Sequence, residues 1–319
     1  MKIEIGINES GQRLDKFLRK WMKDVPLSAI YKAIRKGDIK VNGKKRKEKY
    51  FLEEGDTVEA NYITSKKEKN EFKSIDNSFL KIIYEDENML LVEKWPGVLV
   101  HSDSKSKDPT LTDYVLSHLY DKGDYIPNES VTFTPSPCNR LDRNTSGIVI
   151  YGKNYESLKL LNEMIRDRTV SKYYKAIVKG NIKDGIYRAY ICKDNLENIS
   201  EIYNSHGEDT KEIAMKVKML KTCGLYSFVE LDLITGRSHQ LRAHLAYLGN
   251  PIIGDRKYGE AKINSFFYNK YGLNYQYLYA YKLNFKNCAE KLNYMENKTI
   301  TAALPPVFKK IRKDIFEKF

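Results

Sequence analysis

Residues 139–150 read NRLDRNTSGIVI, a polar loop that leads directly into an apolar run. The run Ile148-Val149-Ile150 after Gly147 predicts a buried strand, and a polar loop at a strand edge is a usual place for catalytic residues. Asp142 is the carboxylate of this loop and stands between two arginines, Arg140 and Arg143. Taken alone, such an aspartate is more often a surface salt bridge than a catalyst.

Further strand-like runs surround this stretch. They cover residues 79–84, 89–92, 147–151, 173–178 and 226–233, while helical patterns cover residues 155–166 and 238–248, the latter ended by Gly249. Runs of strands with few helices between them indicate an α+β domain on an antiparallel or mixed sheet.

The first 60 residues have a different pattern. From Gln12 onward, apolar residues at i, i+3, i+4 and i+7 predict a helix (Leu14, Phe17, Leu18 and Trp21). A second helix is expected to be capped by Ser28 and ended by Gly37, and Asn42-Gly43 predicts a tight hairpin.

Positive charge is concentrated in this N-terminal part. The whole chain has a net charge of +13 in 319 residues, and residues 28–50 alone contain nine basic and two acidic residues, an excess of seven. A merely solvated surface would usually mix both signs, so the cluster favours contact with a nucleic acid backbone. The expected contact residues are Arg35, Lys36, Lys40, Lys44, Lys45 and Arg46.

We divide the chain into a basic module at residues 11–63, a polar linker at 64–78 and a larger domain at 79–319. The four cysteines form no Cys-x-x-Cys pair, which argues against zinc and disulfides and indicates reduced thiols. The N-terminus lacks the apolar stretch of a signal peptide, and no run of 18 apolar residues occurs. We therefore expect a soluble cytoplasmic protein without membrane contact.

A second polar segment, TGRSHQLRAH at residues 235–244, changes the interpretation of Asp142. Ser238 can cap the next helix, and Arg237 stands where its guanidinium can grip a carboxylate bidentately, which favours the ionised acid. His239 and His244 are five residues apart and do not share a helical face, so we expect structural or RNA-facing roles and no metal site.

These motifs carry two resemblances. Residues 11–62, with RLDKFL at 13–18, IRKG at 34–37, VNG at 41–43 and GDTV at 55–58, resemble the S4 RNA-binding domain. The whole chain resembles the RluA, RluC and RluD family of pseudouridine synthases, whose essential aspartate falls on Asp142, and residues 12–37 lean towards RluC. KYYKAIVKG at 172–180 and TGRSHQLR at 235–242 also match. Asn139, Trp95 and Tyr279 depart from the family pattern.

The resemblance implies an α+β protein, with an S4 module of the αL type before a catalytic domain built on a mixed, mainly antiparallel sheet. It implies isomerisation of uridine to pseudouridine by Asp142, without metal or cofactor. Arg140 would contact the space left by a flipped uridine, Tyr174 would stack on the uracil, Leu241 would pack nearby and Arg237 would orient Asp142. The implied partner is RNA, above all large-subunit ribosomal RNA with transfer RNA as another option, and we expect a monomer.

Two other functions are weighed against this one. A non-catalytic S4-type RNA-binding or ribosome-assembly protein would explain the basic module, but not the motifs around Asp142, Tyr174 and Arg237. A hydrolase acting on RNA or nucleosides would release free uracil. Glycoside hydrolases use two flanking carboxyls, whereas the motifs supply one, and an isomerase that consumes no water can use one.

Overall fold

The computed structural model describes residues 1–62, 72–103, 106–127, 132–194 and 197–317. The N-terminal unit contains helices α1 (Leu14–Trp21) and α2 (Leu27–Lys36) and strands β1 (Lys2–Glu4), β2 (Ile39–Val41), β3 (Lys44–Lys45) and β4 (Thr57–Ala60). The strands form an antiparallel sheet in the order β1-β4-β2-β3.

The two N-terminal helices pack through the predicted apolar residues. Leu14, Phe17 and Leu18 of α1 are fully buried. Gly37 ends α2 with φ 85°, a left-handed conformation that glycine adopts without steric cost. The prediction that Ser28 caps α2 is wrong, because the helix begins at Leu27, and Pro26 occupies the cap position without a side-chain cap bond.

The hairpin between β2 and β3 turns as predicted. Asn42 and Gly43 have φ values of 52° and 70°, the two left-handed positions of a type I′ turn. The Asn42 amide also donates to Asp56 Oδ1 at 2.6 Å, and Asp56 is buried. The turn is thereby fixed to the sheet from which its basic side chains project.

The second unit is built around a large sheet. Its strands are β5 (Lys81–Glu85), β6 (Met89–Lys94), β7 (Ser136–Pro137), β8 (Ser146–Gly152), β9 (Val170–Lys179), β10 (Gly185–Asp194), β11 (Ile199–Tyr203), β12 (Lys211–Cys223), β13 (Tyr226–Leu233), β14 (Leu278–Phe285) and β15 (Thr299–Thr301). Its helices are α3 (Leu111–Lys122), α4 (Tyr155–Arg166), α5 (Gln240–Tyr247), α6 (Ala261–Tyr271) and α7 (Pro306–Phe316), with a 3₁₀ turn at Glu290–Met295.

The sheet runs in the order β11-β10-β12-β13-β9-β14-β8-β6-β5, with β15 on β14 and β7 on β8. Its pairs are antiparallel among the described strands, apart from the parallel pair β14–β8. The α+β class with a mixed, mainly antiparallel sheet is thus confirmed.

Gly147 is required where β8 meets β14. Its φ is +126°, and a Cβ at this position would lie 2.3 Å from the carbonyl oxygen of Ala280. Any other residue would push the two strands apart. The close approach fixes the position of β8 relative to β14, and therefore the position of the polar loop that precedes β8.

The linker prediction falls partly outside the described residues, which omit 63–71. Phe72 lies within the predicted linker but packs on the second unit, with its ring 5.2 Å from that of Tyr120 and 6.0 Å from that of Tyr125. The domain boundaries stay a prediction. None of the described helices is both long and apolar enough to cross a membrane.

The two units touch through polar contacts. The Tyr155 backbone N–H donates to Asn8 Oδ1 at 3.1 Å, at the first residue of α4, and the Gln12 amide donates to Thr132 Oγ1 at 3.0 Å. The N-terminal unit therefore rests against the start of α4.

Candidate active site

Asp142 lies in the loop between β7 and β8, and a buried lysine holds that loop. Lys94 Nζ donates to the carbonyl oxygens of Val98 and Arg143, both at 2.8 Å, and of Trp95 at 3.1 Å. Three acceptors match the three donors of an ammonium group. Burial lowers the pKa of Lys94 to about 7. The lysine connects the end of β6 to the residue that follows Asp142.

Arg242 on α5 is the cation that binds Asp142. Its Nη1 donates to Asp142 Oδ2 at 2.9 Å, while Nε and Nη2 donate to Asp255 at 2.7 and 2.9 Å. Asp255 is fully buried and also accepts from the backbone N–H groups of Lys257 and Tyr258. Because Asp255 holds Nε and Nη2 bidentately, the third nitrogen, Nη1, is aimed at Asp142.

In the triad of Asp142, Arg242 and Asp255, each charge stabilises the ionised form of its partner. Burial works against the positive charge of Arg242, but the bonds to Asp255 outweigh it, so the pKa of Arg242 is raised. Burial alone would raise the pKa of Asp255, yet its bonds to Arg242 lower it. The pair is therefore ionised at neutral pH, inside the protein.

The prediction that Arg237 grips Asp142 is wrong. Arg237 is exposed, and its backbone N–H donates to Gln240 Oε1 at 3.0 Å. The prediction that Ser238 caps the helix is also wrong, because α5 begins at Gln240 after His239, which takes a left-handed φ of 54°. The chain changes direction at this left-handed residue. As a result Arg242, inside α5, reaches Asp142, whereas Arg237, before the turn, does not.

Asp142 opens onto a cleft of about 670 Å³, large enough for a nucleotide. Tyr174 on β9 and Leu241 on α5 line it, both about 5% exposed, as do Arg140 and Arg237 at its rim. The structure thus brings the four expected substrate-binding residues to the same cleft as Asp142. Burial raises the pKa of Tyr174, so its hydroxyl is neutral.

The cleft is rich in positive charge. Its lining includes six arginines and lysines (Arg140, Arg143, Lys172, Lys193, Arg237 and Arg242) and two carboxylates, Asp103 and Asp142, among the described residues. Lys172 shares a face of β9 with Tyr174, two residues away, and burial lowers its pKa. Asp103 lies 3.9 Å from Arg143 and is 46% exposed. Such a lining suits a phosphodiester chain.

Sequence reasoning named neither Arg242 nor Asp255 as a functional residue. Arg242 lies in the matching segment TGRSHQLR at 235–242, but so does Arg237, and the sequence does not indicate which of the two arginines faces Asp142. Asp255 is 13 residues further along, after a left-handed glycine at Gly254. Its signal was an aspartate two residues after the apolar pair Ile252-Ile253, where an unpaired carboxylate would be costly to bury.

Comparison with known proteins bears on this geometry. A model of the RNA pseudouridylate synthase family matches residues 88–247, and a model of the S4 domain matches residues 12–58. Ribosomal large subunit pseudouridine synthase C of Vibrio vulnificus (strain CMCP6) is 31% identical over 318 residues, which cover 97% of this chain and 96% of that protein. The protein of the same name from Escherichia coli (strain K12) is 31% identical, covering 89% and 88%.

The chain belongs to the RNA pseudouridine synthase family. It is an isomerase by family and carries an S4 domain. Among solved structures, human RNA pseudouridylate synthase domain containing 4 is similar with a TM-score of 0.57 and 22% identity, covering 73% of this chain and 91% of that one. That likeness supports the shared fold of the synthase domain.

Two of the departures from the family pattern are built into the synthase fold. Asn139 is buried and spans the loop before β8, donating to the Ile148 carbonyl at 3.2 Å and accepting from the Ile150 N–H at 2.8 Å. Tyr279 is fully buried, with its hydroxyl 2.8 Å from Glu93 Oε1. Both stabilise the loop and sheet that carry Asp142.

The third departure, Trp95, lies in an aromatic cluster of the synthase. Its ring is 5.2 Å from Phe79 and 5.4 Å from Tyr114. The cluster packs the start of the second unit against α3, and its rings do not line the described part of the cleft.

The two histidines of the polar segment 235–244, His239 and His244, have different surroundings. His239 lines the cleft, with Nε2 4.0 Å from Asp142 Oδ2. His244 is 1% exposed, and its Nδ1 has no hydrogen-bond partner. His244 is therefore structural, and it faces no RNA.

His244 gives the synthase a pH-dependent stability. Burial lowers its pKa from 6.5 to about 4, so the unfolded chain takes up a proton that the folded chain refuses. Stability that is complete above pH 6.5 is lost as the pH falls towards 4, and we expect wild type to lose about 2 kcal/mol more than His244→Leu between pH 7 and pH 4.5.

Urea unfolding of both proteins at the two pH values measures this difference. Exposed His206, replaced by Gln, is the matched control and should behave like wild type. An equal loss in wild type and His244→Leu would show that His244 is not held neutral by burial.

Proposed function

We propose that this synthase isomerises selected uridines of large-subunit ribosomal RNA, with Asp142 as the catalytic carboxylate. The observation that carries the proposal is the triad of Asp142, Arg242 and Asp255, in which Asp142 and Arg242 line a basic cleft and the buried Asp255 binds Arg242 from behind. The named relatives that cover nearly the whole chain act, by name, on the ribosomal large subunit, which supports the choice of RNA. Transfer RNA is the other candidate class.

The reaction breaks the bond between N1 of uracil and C1′ of ribose, rotates the base and joins C5 to C1′. The hydrogen on C5 leaves as a proton, and a proton returns to N1, so the substrate and product are isomers. A uridine in a helix hides this bond, and flipping it out costs a few kcal/mol of lost stacking. The cleft beside Asp142 has room for the flipped nucleotide.

The four expected substrate-binding residues each have a proposed part in holding that nucleotide. Tyr174 would stack on the uracil, and Leu241 would pack against its edge. Arg140, at the rim, would fill the space left in the RNA. Arg237, exposed beside the cleft, would bind a flanking phosphate instead of orienting Asp142.

The basic surface of the S4 unit would bind RNA outside the cleft. Arg35 and Lys36 end α2, and Lys45 of the hairpin donates to the Arg35 carbonyl, so helix end and hairpin form one surface. Lys40 pairs directly with Lys45 across the strands, a like-charge contact that costs stability. Lys44 and Arg46 extend the same surface, which is suited to a phosphate backbone.

The salt dependence of RNA binding tests this surface. The triple variant Lys36→Gln, Lys40→Gln and Lys44→Gln should weaken binding. It should also make the fall of log K with log salt shallower by ~2, since each lost phosphate contact removes ~0.7 to 0.9 from the steepness of the slope. The control removes three exposed lysines that do not line the cleft (Lys262, Lys298 and Lys310). Equal slopes for both triple variants would contradict an RNA-binding role for the S4 surface.

The activity itself is tested with large-subunit ribosomal RNA that carries tritium at C5 of uridine. Isomerisation should release tritium while no free uracil appears. Free uracil would identify a hydrolase, and RNA binding without tritium release would identify a non-catalytic S4-type protein. We expect the active species to be a cytoplasmic monomer, which sedimentation and cell fractionation can test.

A further inference from the structure

His239 also lines the cleft, and its imidazole lies beside Asp142. Its Nδ1 lies 2.9 Å from the hydroxyl oxygen of Tyr258, and its Nε2 lies 4.0 Å from Asp142 Oδ2. Its φ of 54° is uncommon for a residue with a side chain, and such strain persists where the surroundings impose it. The imidazole is therefore held between a tyrosine and the proposed catalytic carboxylate.

The hydrogen-bond directions around Tyr258 favour one form of the imidazole. The backbone N–H of Ser200 can only donate, and it donates to the Tyr258 oxygen at 2.8 Å. The phenol hydrogen is then available for Nδ1 of His239, which places the imidazole hydrogen on Nε2. A carboxylate 4.0 Å from Nε2 favours a hydrogen there over a lone pair.

The neutral imidazole is also favoured by its surroundings. Burial lowers the pKa of His239; the carboxylates of Asp142 and Asp255 oppose this shift, whereas Arg242 and Lys257 add to it. At neutral pH only one of the two ring nitrogens therefore carries a hydrogen.

Ser200 and its neighbours make this arrangement rigid. Ser200 Oγ donates to the Ser238 carbonyl at 3.0 Å, directly before His239. Lys257 Nζ donates to the Asn198 carbonyl at 2.7 Å, which ties the start of β11 to the segment that carries Tyr258. The Arg242 guanidinium lies 5.2 Å from the centre of the Tyr258 ring. One tyrosine thus contacts both groups that face Asp142.

Both neighbours approach the same oxygen of Asp142. Arg242 donates to Oδ2 at 2.9 Å, and His239 Nε2 faces Oδ2 at 4.0 Å. Oδ1 has no protein partner within the described residues and is left for the substrate. A carboxylate held on one oxygen cannot rotate freely about its Cβ–Cγ bond, so the direction of Oδ1 is set before RNA arrives.

We propose that His239 is a positioning residue for Asp142, held by Tyr258 as the neutral Nε2–H tautomer so that Oδ1 points at the flipped uridine. The inference rests on the proposed function, because it assigns His239 a part in the same reaction. The residue has no bond to make or break. It acts through the orientation of the carboxylate.

The tautomer is measured directly by long-range nitrogen–proton NMR on the full-length protein with labelled histidine at pH 7.5. Each of the five histidines is assigned by substitution. We expect a bare Nδ1 and a protonated Nε2 for His239, and a loss of this preference in Tyr258→Phe, which keeps the ring beside Arg242. A protonated Nδ1, or a doubly protonated ring, would overturn the proposal.

Single-turnover tritium release at saturating enzyme measures the consequence. His239→Asn suits the left-handed backbone but cannot place a donor at the Nε2 position, and we expect a rate about 10-fold to 100-fold lower with RNA affinity within about twofold. His239→Gln can place its amide nitrogen there and should recover part of the rate. The double variant Tyr258→Phe/His239→Asn should be no slower than His239→Asn alone.

An unchanged rate in His239→Asn, or equal losses in the Asn and Gln variants, would overturn the positioning role. Wild type that releases no tritium would instead refute the proposed function. The two failures are therefore distinguished within one assay.

Discussion

Asp142→Asn should abolish pseudouridine formation while the protein stays folded and binds RNA. Asparagine keeps the shape of the side chain and an oxygen for Arg242, but it removes the negative charge that the proposed role of Asp142 requires. Because Arg242 keeps both bonds to Asp255, we expect a stability change of about 1 kcal/mol. Tritium release, urea unfolding and RNA affinity are compared with wild type.

The matched control for this variant is Asp103→Asn. Asp103 is the other carboxylate of the described cleft lining, is 46% exposed and lies near Arg143. Its replacement should leave tritium release within a few-fold of wild type. Near-normal release by Asp142→Asn would remove Asp142 from the chemistry, and a loss in both variants would point to the charge of the cleft instead.

Arg242→Lys should be the most damaging conservative change outside Asp142. Lysine keeps the positive charge but has no fork to bind Asp255 bidentately and reach Asp142 at the same time. The buried Asp255 would lose one or both guanidinium bonds, and breaking a buried pair costs about 3 to 5 kcal/mol when a partner is removed. We expect about 3 kcal/mol, and a single-turnover rate about 100-fold lower, as for a catalytic group displaced by 1 Å.

Arg237→Lys is the same change five residues earlier and serves as its control. Arg237 is exposed and makes no ion pair within the described residues, so its replacement should alter stability by about 0.5 kcal/mol or less. Asp255→Asn should lose stability and rate as Arg242→Lys does. A larger loss in Arg237→Lys than in Arg242→Lys would return the orienting role to Arg237.

Local structure was predictable where the determining residues are close in sequence. The helix at Tyr155–Arg166 has its predicted bounds because Asn154 caps it, accepting from the Ser157 N–H at 2.9 Å. The strand at Tyr226–Leu233 and the turn at Asn42-Gly43 likewise follow from alternation and from left-handed turn residues. In each case the signal lies within a few residues of the element.

The arrangement of charges at the site was not predictable in the same way. Which arginine reaches Asp142 depends on the left-handed turn at His239 and on the position of Asp255, which binds Arg242 from the next segment. Both are tertiary facts, and the sequence patterns of Arg237 and Arg242 are equally suited to a carboxylate. The caps expected at Ser28 and Ser238 were wrong for a related reason, since Pro26 and His239 occupy those positions.

Pseudouridine mapping of ribosomal and transfer RNA, in cells that lack this chain and in cells that regain it, tests the central claim most directly. We predict that one or more pseudouridines of large-subunit ribosomal RNA disappear without the chain, return with wild type and fail to return with Asp142→Asn. An unchanged large-subunit profile in cells that lack the chain, or full restoration by Asp142→Asn, would contradict the account.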